Sequence, residues 1–295
     1  VSPTLLRSIA DSIDGAQLVG VEEGSDLEVL DVVMDSRQVT SGALFCCVRG
    51  EHADGHAFAE NARAAGAVAL LVDHVLETPI PQIVVRDVRE SVGTAAATHF
   101  GHPSRSMTIV GVTGTNGKTT TSLLLANILQ ASGRRVETLG TLTGARTTPE
   151  AADLQRQLAT WRDVGIEAVV MEVSSHALVL HRVDATMFSV SIFTNLSRDH
   201  LDFHGSMEQY FEAKALLFTP SLSERAVVNM DSPYGRLIDV TRSIPTVGYA
   251  MSEAEGLRGG VDGSSFTWRD QHIELGIAGS FNVSNALAAA HAALL

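Results

Sequence analysis

Residues 111–121, Gly-Val-Thr-Gly-Thr-Asn-Gly-Lys-Thr-Thr-Thr, combine the residue types that hold a polyphosphate. Gly114 and Gly117 permit a tight turn whose backbone N–H groups face an anion, and a helix beginning there adds its positive end. Lys118 can reach the outer phosphates, and the Thr119 hydroxyl can ligate Mg2+. The loop departs from the common phosphate-loop spacing. Four residues between its glycines would place the first at 112, where this chain has Val112; Gly111 lies one residue too early.

Carboxylates and imidazoles follow downstream. Glu172 ends the apolar run Ala-Val-Val-Met of residues 168–171, and ligand-binding groups of open α/β sheets sit at such strand ends. A second apolar run, ending in Phe-Thr-Asn-Leu at 193–196, precedes Asp199, His200, Asp202 and His204. Mg2+ prefers oxygen ligands, so a carboxylate plus a threonine hydroxyl is the expected core of a metal site, with one histidine as an addition. Lys214 lies in a helix that Ser206 and Gln209 open with a capping-box signal. Phe211, Ala215 and Phe218 share one face of it, and by composition alone Lys214 is expected to snorkel at the surface.

These groups require an α/β scaffold. The strand Met-Thr-Ile-Val-Gly-Val at 107–112, the glycine turn and the helix over 120–133 form the start of a nucleotide-binding sheet. Further strands over 167–173, 188–196 and 225–231 alternate with helices, which predicts a mainly parallel sheet covered on both faces. The first hundred residues read as short strands alternating with small helices, and Gly101 and Pro103 interrupt the last of these. The expected organisation is therefore a small N-terminal α/β domain over 1–104 and a central domain of phosphate-loop type over 105–295.

A net charge of −13, from 34 acidic and 21 basic residues, disfavours a nucleic-acid groove while leaving room for a phosphorylated small ligand. Cys46 and Cys47 are adjacent in an apolar run, where a disulfide would be strained, so they are expected as buried thiols in a reducing compartment. No 18-residue apolar segment and no basic-then-apolar start is present, which leads to the expectation of a soluble, cytoplasmic protein without a membrane partner.

Taken together, the blocks GVTGTNGKTTT, MEVSSHAL…HRV and TNLSRDHLDFHGSMEQYFEAKALLF, with DSRQVTSGALFCCVRGEHADGH and GSFNVSNALAAA, resemble the Mur ligase superfamily. Within it they are most similar to UDP-N-acetylmuramoyl-peptide ligases of the MurE type, through nearly the whole chain. The resemblance implies an ATP- and Mg2+-dependent amide ligase of peptidoglycan biosynthesis. Such an enzyme adds a third amino acid, diaminopimelate or lysine, to UDP-N-acetylmuramoyl-L-Ala-D-Glu through an acyl-phosphate.

Carried over by position, Gly114, Thr115, Asn116, Gly117, Lys118, Thr119 and Thr120 would cradle ATP, with Asn285 at the adenine. Thr119, Glu172 and His200 would organise Mg2+. Lys214 matches a lysine that reacts with CO2 to form a carbamate, which with His200 would hold a second metal; Lys118, Lys214 and His200 are thus the catalytic candidates. Met34, Ser36, Glu51, His52 and Ala53 would hold the uridine end, and Thr147, Thr148, Ser174 and Arg182 the muramoyl-peptide. Leu180 and Arg146 stand where the family often has Gln and Asn, which alters polar contacts to the precursor. The resemblance also implies a C-terminal domain after GSFNVSNALAAA, holding the incoming amino acid, beyond where this sequence ends. Two alternatives stay open: another Mur-type or folylpolyglutamate-type ligase, and a fragment that binds nucleotide and precursor without turnover.

Overall fold

The computed structural model of the protein describes residues 2–22, 24, 27–50, 53–142, 146–241 and 243–295. The chain divides into two compact units, one formed by Val1–Ser106, Glu150–Asp163 and Leu180–Thr186, the other by Met107–Pro149, Val164–Val179 and Met187–Leu295.

The first unit contains β1 (Thr4–Leu5), α1 (Leu6–Asp11), β2 (Gln17–Val19), β3 (Glu28–Val29), β4 (Asp31–Val33), β5 (Ala43–Cys46), α2 (Ala59–Ala64), β6 (Ala69–Val72), β7 (Gln82–Val84) and α3 (Val88–His99). Among the described residues its main sheet has the order β2-β7-β6-β5-β4, parallel except for β2, and β1 pairs with β3. Every residue of β5 and β6 is buried, which is why both segments read as unbroken apolar runs rather than alternating ones. Asp87 caps α3 by accepting from the backbone N–H groups of Arg89 and Glu90. A helix from the middle of the chain, α5 (Ala151–Asp163), packs on α3 and contributes Ala151, Ala152 and Ala159 to the core formed by Val92, Ala95 and Ala96. Its Arg156 donates to Asp31 Oδ1 at 2.9 Å and to the Val32 carbonyl at 2.8 Å, fastening α5 to β4.

Cys46 and Cys47 are free, buried thiols. Burial pushes both upward from the usual thiol range, Cys47 to about 12, with Asp54 and Asp73 adding to its rise. Since only the thiolate reacts, neither should be modified by a disulfide reagent at pH 8 until the chain is unfolded. Absorbance of the released thiol, with and without denaturant, checks this; rapid labelling of the native protein would overturn it.

The second unit contains β8 (Thr108–Thr113), α4 (Lys118–Ala131), β9 (Val136–Leu139), β10 (Ala168–Glu172), α6 (Ser175–Val179), β11 (Val190–Phe193), α7 (Leu201–His204), α8 (Met207–Ala215), β12 (Ala226–Asn229), α9 (Pro233–Thr241), β13 (Thr246–Tyr249), β14 (Glu255–Gly259), β15 (Ser264–Trp268), β16 (Gln271–Leu275) and α10 (Ser280–Ala293). Among the described residues, β13-β12-β11-β8-β10-β9 form an all-parallel six-stranded sheet. Its interior valines and isoleucines are excluded from water, each contributing about 1.5–3 kcal/mol relative to exposure. The small residues of α10 let it lie closely along α4 within the same core. An antiparallel sheet, β14-β15-β16, is not apparent from the sequence, because β14 is exposed throughout and carries no alternating apolar pattern. Among the described residues no helix is long and apolar enough to cross a membrane.

Candidate active site

The candidate site is built where β8, β10 and β11 end in the second unit. After Thr113 the chain turns through Gly114 (φ +152°) to Gly117 (φ +87°), whose left-handed backbone immediately precedes α4. The turn is held in shape by residues following β11. Asn195 accepts from the N–H of Thr115 through its carbonyl at 2.9 Å and from the N–H of Asn116 through Oδ1 at 3.1 Å. Its Nδ2 donates back to the Asn116 carbonyl at 3.0 Å, which also accepts from Thr194 Oγ1 at 2.7 Å. The amides of the first turn of α4, where Lys118, Thr119 and Thr120 lie, are those that helix geometry leaves without a backbone partner, so they are the natural anion donors.

Two lysines converge on this turn. Lys118 Nζ donates to the carbonyls of Gly114 and Thr115, each at 2.9 Å, and Lys214 Nζ donates to the same Gly114 carbonyl at 3.1 Å. Lys214 is only 1% exposed, contrary to the surface position expected from composition. Its place on α8, among the buried Tyr210, Phe211 and Ala215, turns it inward, and its ammonium lies 4.6 Å from the centre of the Tyr210 ring. The Tyr210 hydroxyl is 3.2 Å from Thr115 Oγ1, tying α8 to the loop. Burial, reinforced by the charge of Lys118, lowers Lys214 to about 7. Lys118 is lowered as well, chiefly by burial, with Glu172 and Asp199 opposing.

On the other side of the loop, the Glu172 carboxylate at the end of β10 is 2% exposed. It accepts from Thr119 Oγ1 at 2.8 Å, from the N–H of Thr141 at 3.1 Å and from Thr141 Oγ1 at 3.2 Å. Thr147 and Thr148 gather here too: Thr147 Oγ1 is 3.1 Å from Thr141 Oγ1, while Thr148 Oγ1 donates to the Glu172 carbonyl at 3.0 Å and accepts from the N–H of Ser174 at 3.2 Å. A hydroxyl and a carboxylate in contact at the base of a phosphate-type loop form the hard-oxygen donor set that suits Mg2+.

The imidazoles divide. His200 precedes α7 with a left-handed backbone (φ +50°); its half-exposed ring lies 3.5 Å from an Asp199 oxygen and 6.1 Å, centre to centre, from Tyr210. His204 instead turns inward to Ser175 Oγ at 2.8 Å, and burial, with nearby His176, Lys214 and His200, lowers it to about 4. It is a neutral packing group. Asp202 is exposed on the first turn of α7. Asn285, on α10, is buried with its carboxamide packed against Gly117, where a side chain on residue 117 would collide with it.

The remaining expected substrate residues belong to the first unit. Met34 is partly buried after β4, and Ser36 opens a short 3-10 turn whose preceding Asp35 accepts from the N–H of Arg37. The Ala53 carbonyl accepts from the N–H of Gly50 at 2.8 Å. Arg182 pairs with Glu150 at 2.9 Å, a carboxylate that also faces Arg89 at 3.5 Å. Glu51 and His52 lie outside the described residues.

Residues 112–293 match the family described as Mur ligase middle domain, and residues 29–105 match Mur ligase family, catalytic domain. The chain belongs to the Mur ligase family. Among its relatives is the UDP-N-acetylmuramoyl-L-alanyl-D-glutamate--2,6-diaminopimelate ligase of Geobacillus kaustophilus, 40% identical over 299 residues, covering 93% of this chain and 61% of the relative. The ligase of the same name from Streptomyces coelicolor is 39% identical over 324 residues, covering 98% and 61%. A solved structure of a UDP-N-acetylmuramoyl-L-alanyl-D-glutamate--2,6-diaminopimelate ligase shares the fold with a TM-score of 0.82 at 26% identity, over 99% of this chain and 64% of that one. MurF from Acinetobacter baumannii, at 20% identity and a TM-score of 0.76 over 100% and 65%, shares the fold. This chain spans about 61% of the length of these curated relatives.

The motifs of this Mur ligase chain that single residues betray in sequence are its glycines, Lys118 and Glu172. No motif of the sequence marks Asn195, Thr141 or Tyr210, although the structure gives each a direct bond to the loop or to Glu172. Asparagine just after an apolar strand is the signal that could have found Asn195.

Proposed function

We propose that this chain carries the nucleotide and precursor sites of a ligase that uses ATP to add 2,6-diaminopimelate to UDP-N-acetylmuramoyl-L-alanyl-D-glutamate. The observation that carries the reading is the convergence of Lys118, Lys214 and the Thr119–Glu172 pair on one glycine loop. The names of the relatives favour diaminopimelate over lysine as the third amino acid. The same names speak against a folylpolyglutamate-type acceptor.

In this reading the turn from Gly114 to Thr120 wraps the phosphates of ATP, and the precursor carboxylate attacks the γ-phosphorus, giving an acyl-phosphate and ADP. Lys118, now folded onto the Gly114 and Thr115 carbonyls, swings to the outer phosphate and offsets the charge that builds there. The amine of the incoming amino acid then displaces phosphate and leaves an amide. Thr119 and Glu172 would hold Mg2+, which when bound neutralises phosphate charge. The neutral Lys214 amine adds to CO2 and releases one proton, which leaves a carbamate anion whose two oxygens, with His200, would hold a second metal ion. Met34, Ser36 and the 51–53 segment serve the uridine end, Thr147, Thr148, Ser174 and Arg182 the muramoyl-peptide, and Asn285 the adenine side.

The test is calorimetry of ATP with and without Mg2+, followed by phosphate release when precursor and diaminopimelate are added. Magnesium should tighten ATP binding, and Glu172→Gln should weaken it by about tenfold or more in Mg2+ alone. Equal affinity in all these conditions would sink the nucleotide-site assignment. Binding of both ligands with no phosphate released, whichever amino acid is supplied, would instead indicate a binding fragment.

A further inference from the structure

The first unit holds a separate set of metal-type donors. Asp73 and His74 directly follow β6, and His56 lies in the one-turn 3-10 helix Gly55–Phe58 that comes after β5. One donor atom from each of the three lies within 4.8 Å of the others. We propose that His56 Nε2, Asp73 Oδ1 and His74 Nδ1 bind one zinc-type transition-metal dication.

The His56 ring is oriented for this. Its Nδ1 lies 2.6 Å from Asp54 Oδ1, so the carboxylate holds the proton on that nitrogen and leaves the Nε2 lone pair facing Asp73. Without an ion that lone pair accepts from the Asp73 N–H at 3.3 Å, a contact the metal replaces, and Nε2 lies 3.3 Å from Asp73 Oδ1. Around a tetrahedral zinc ion with bonds of about 2.0–2.1 Å, neighbouring ligand atoms stand roughly 3.3–3.4 Å apart. That edge of the tetrahedron is already formed. The second edge, from Asp73 Oδ1 to His74 Nδ1, is 2.5 Å and must open by roughly 0.8–0.9 Å.

The required movement is a side-chain one. The His56 side chain is 6% exposed and fixed, whereas that of His74 is 53% exposed and stacks on it with ring centres 4.7 Å apart. Arg49 holds the other oxygen of Asp73 at 3.0 Å and touches Oδ1 at 3.2 Å; the metal displaces the second contact and leaves the first to orient the carboxylate. Two imidazoles and one carboxylate select zinc, copper or nickel over magnesium, so this chemistry differs from the all-oxygen pair at Glu172. A bound ion ties the 3-10 turn to the end of β6, and binding to the folded state alone raises its melting temperature.

Titrating the full chain with Co2+, then displacing it with Zn2+, should give one equivalent with the visible absorption of a low-symmetry nitrogen–oxygen site and a Zn2+-dependent rise in Tm. His74→Ala, at a position open to solvent, should weaken binding by about tenfold or more and abolish the rise. His56→Ala should do the same and, should it unfold, His74→Ala still decides. Unchanged affinity in His74→Ala would place the ion elsewhere, for instance at the His176, His200 and His204 rings, and overturn the proposal. Absence of saturable binding by the wild-type chain would overturn it equally.

Discussion

Lys214→Ala should lower acyl-phosphate formation by about a hundredfold to a thousandfold or more, the loss that follows removal of a preorganised electrostatic group from a catalytic site. A lysine at 1% exposure, sharing the Gly114 carbonyl with a second ammonium, is held near 7 instead of its usual 10.5. At pH 8 most of it is the free amine, the form that captures CO2. Labelled bicarbonate should therefore give a lysine carbamate resonance that grows as pH rises through 7 and is missing from Lys214→Ala. Undiminished turnover in that variant, or no resonance in the wild type at pH 8, would remove the role.

The same shift makes stability depend on pH. The folded state binds this proton less readily than the unfolded chain, so between pH 7 and 10.5 the unfolded state carries the extra proton and stability climbs with pH. Each pH unit in that window adds at most about 1.4 kcal/mol. Lys214→Met fills the same space without a titrating group and should flatten the climb. Denaturant unfolding at pH 7 and pH 9 measures the difference.

Gly117→Ala should weaken ATP binding by about a hundredfold. At φ +87° a side chain costs about 1–2 kcal/mol in backbone strain alone. Its Cβ would also collide with the Asn285 carboxamide, for which overpacking costs about 1–3 kcal/mol more. At about 1.4 kcal/mol per tenfold, strain that is relieved by opening the turn reaches two decades in affinity. Gly114→Ala should behave alike, since its Cβ would run into Thr194 Oγ1, the hydroxyl that donates to the Asn116 carbonyl. Calorimetry with Mg2+-ATP measures the loss, and thermal unfolding separates it from collapse of the domain. Wild-type affinity in both variants would mean that the turn does not hold phosphate.

Much of this site is readable from residues near one another in the chain. A strand, a glycine turn and a helix lie in one stretch, and the apolar runs of β8, β10, β11 and β12 declare a sheet buried on both faces. Lys214 is different. The spacing of Phe211, Ala215 and Phe218 marks the buried side of α8, but a charge three residues from Phe211 is compatible with either a wet or a dry position. Its burial depends on Gly114, a hundred residues earlier. Thr141 is likewise a polar residue of unremarkable local context whose role comes from a partner far away in sequence. The β14-β15-β16 sheet was hidden for another reason, because a sheet with an exposed strand needs no apolar pattern there.

The three-part construction of the first unit bears on how the protein is made. When Ser106 has left the ribosome, the parallel sheet around β5 and β6 can form, yet the alanine face of α3 still lacks α5, and Asp31 still lacks Arg156. Completion waits until Thr186 has been synthesised. A nascent chain halted between those points exposes an unfinished apolar surface, the kind of intermediate that chaperones shield during translation.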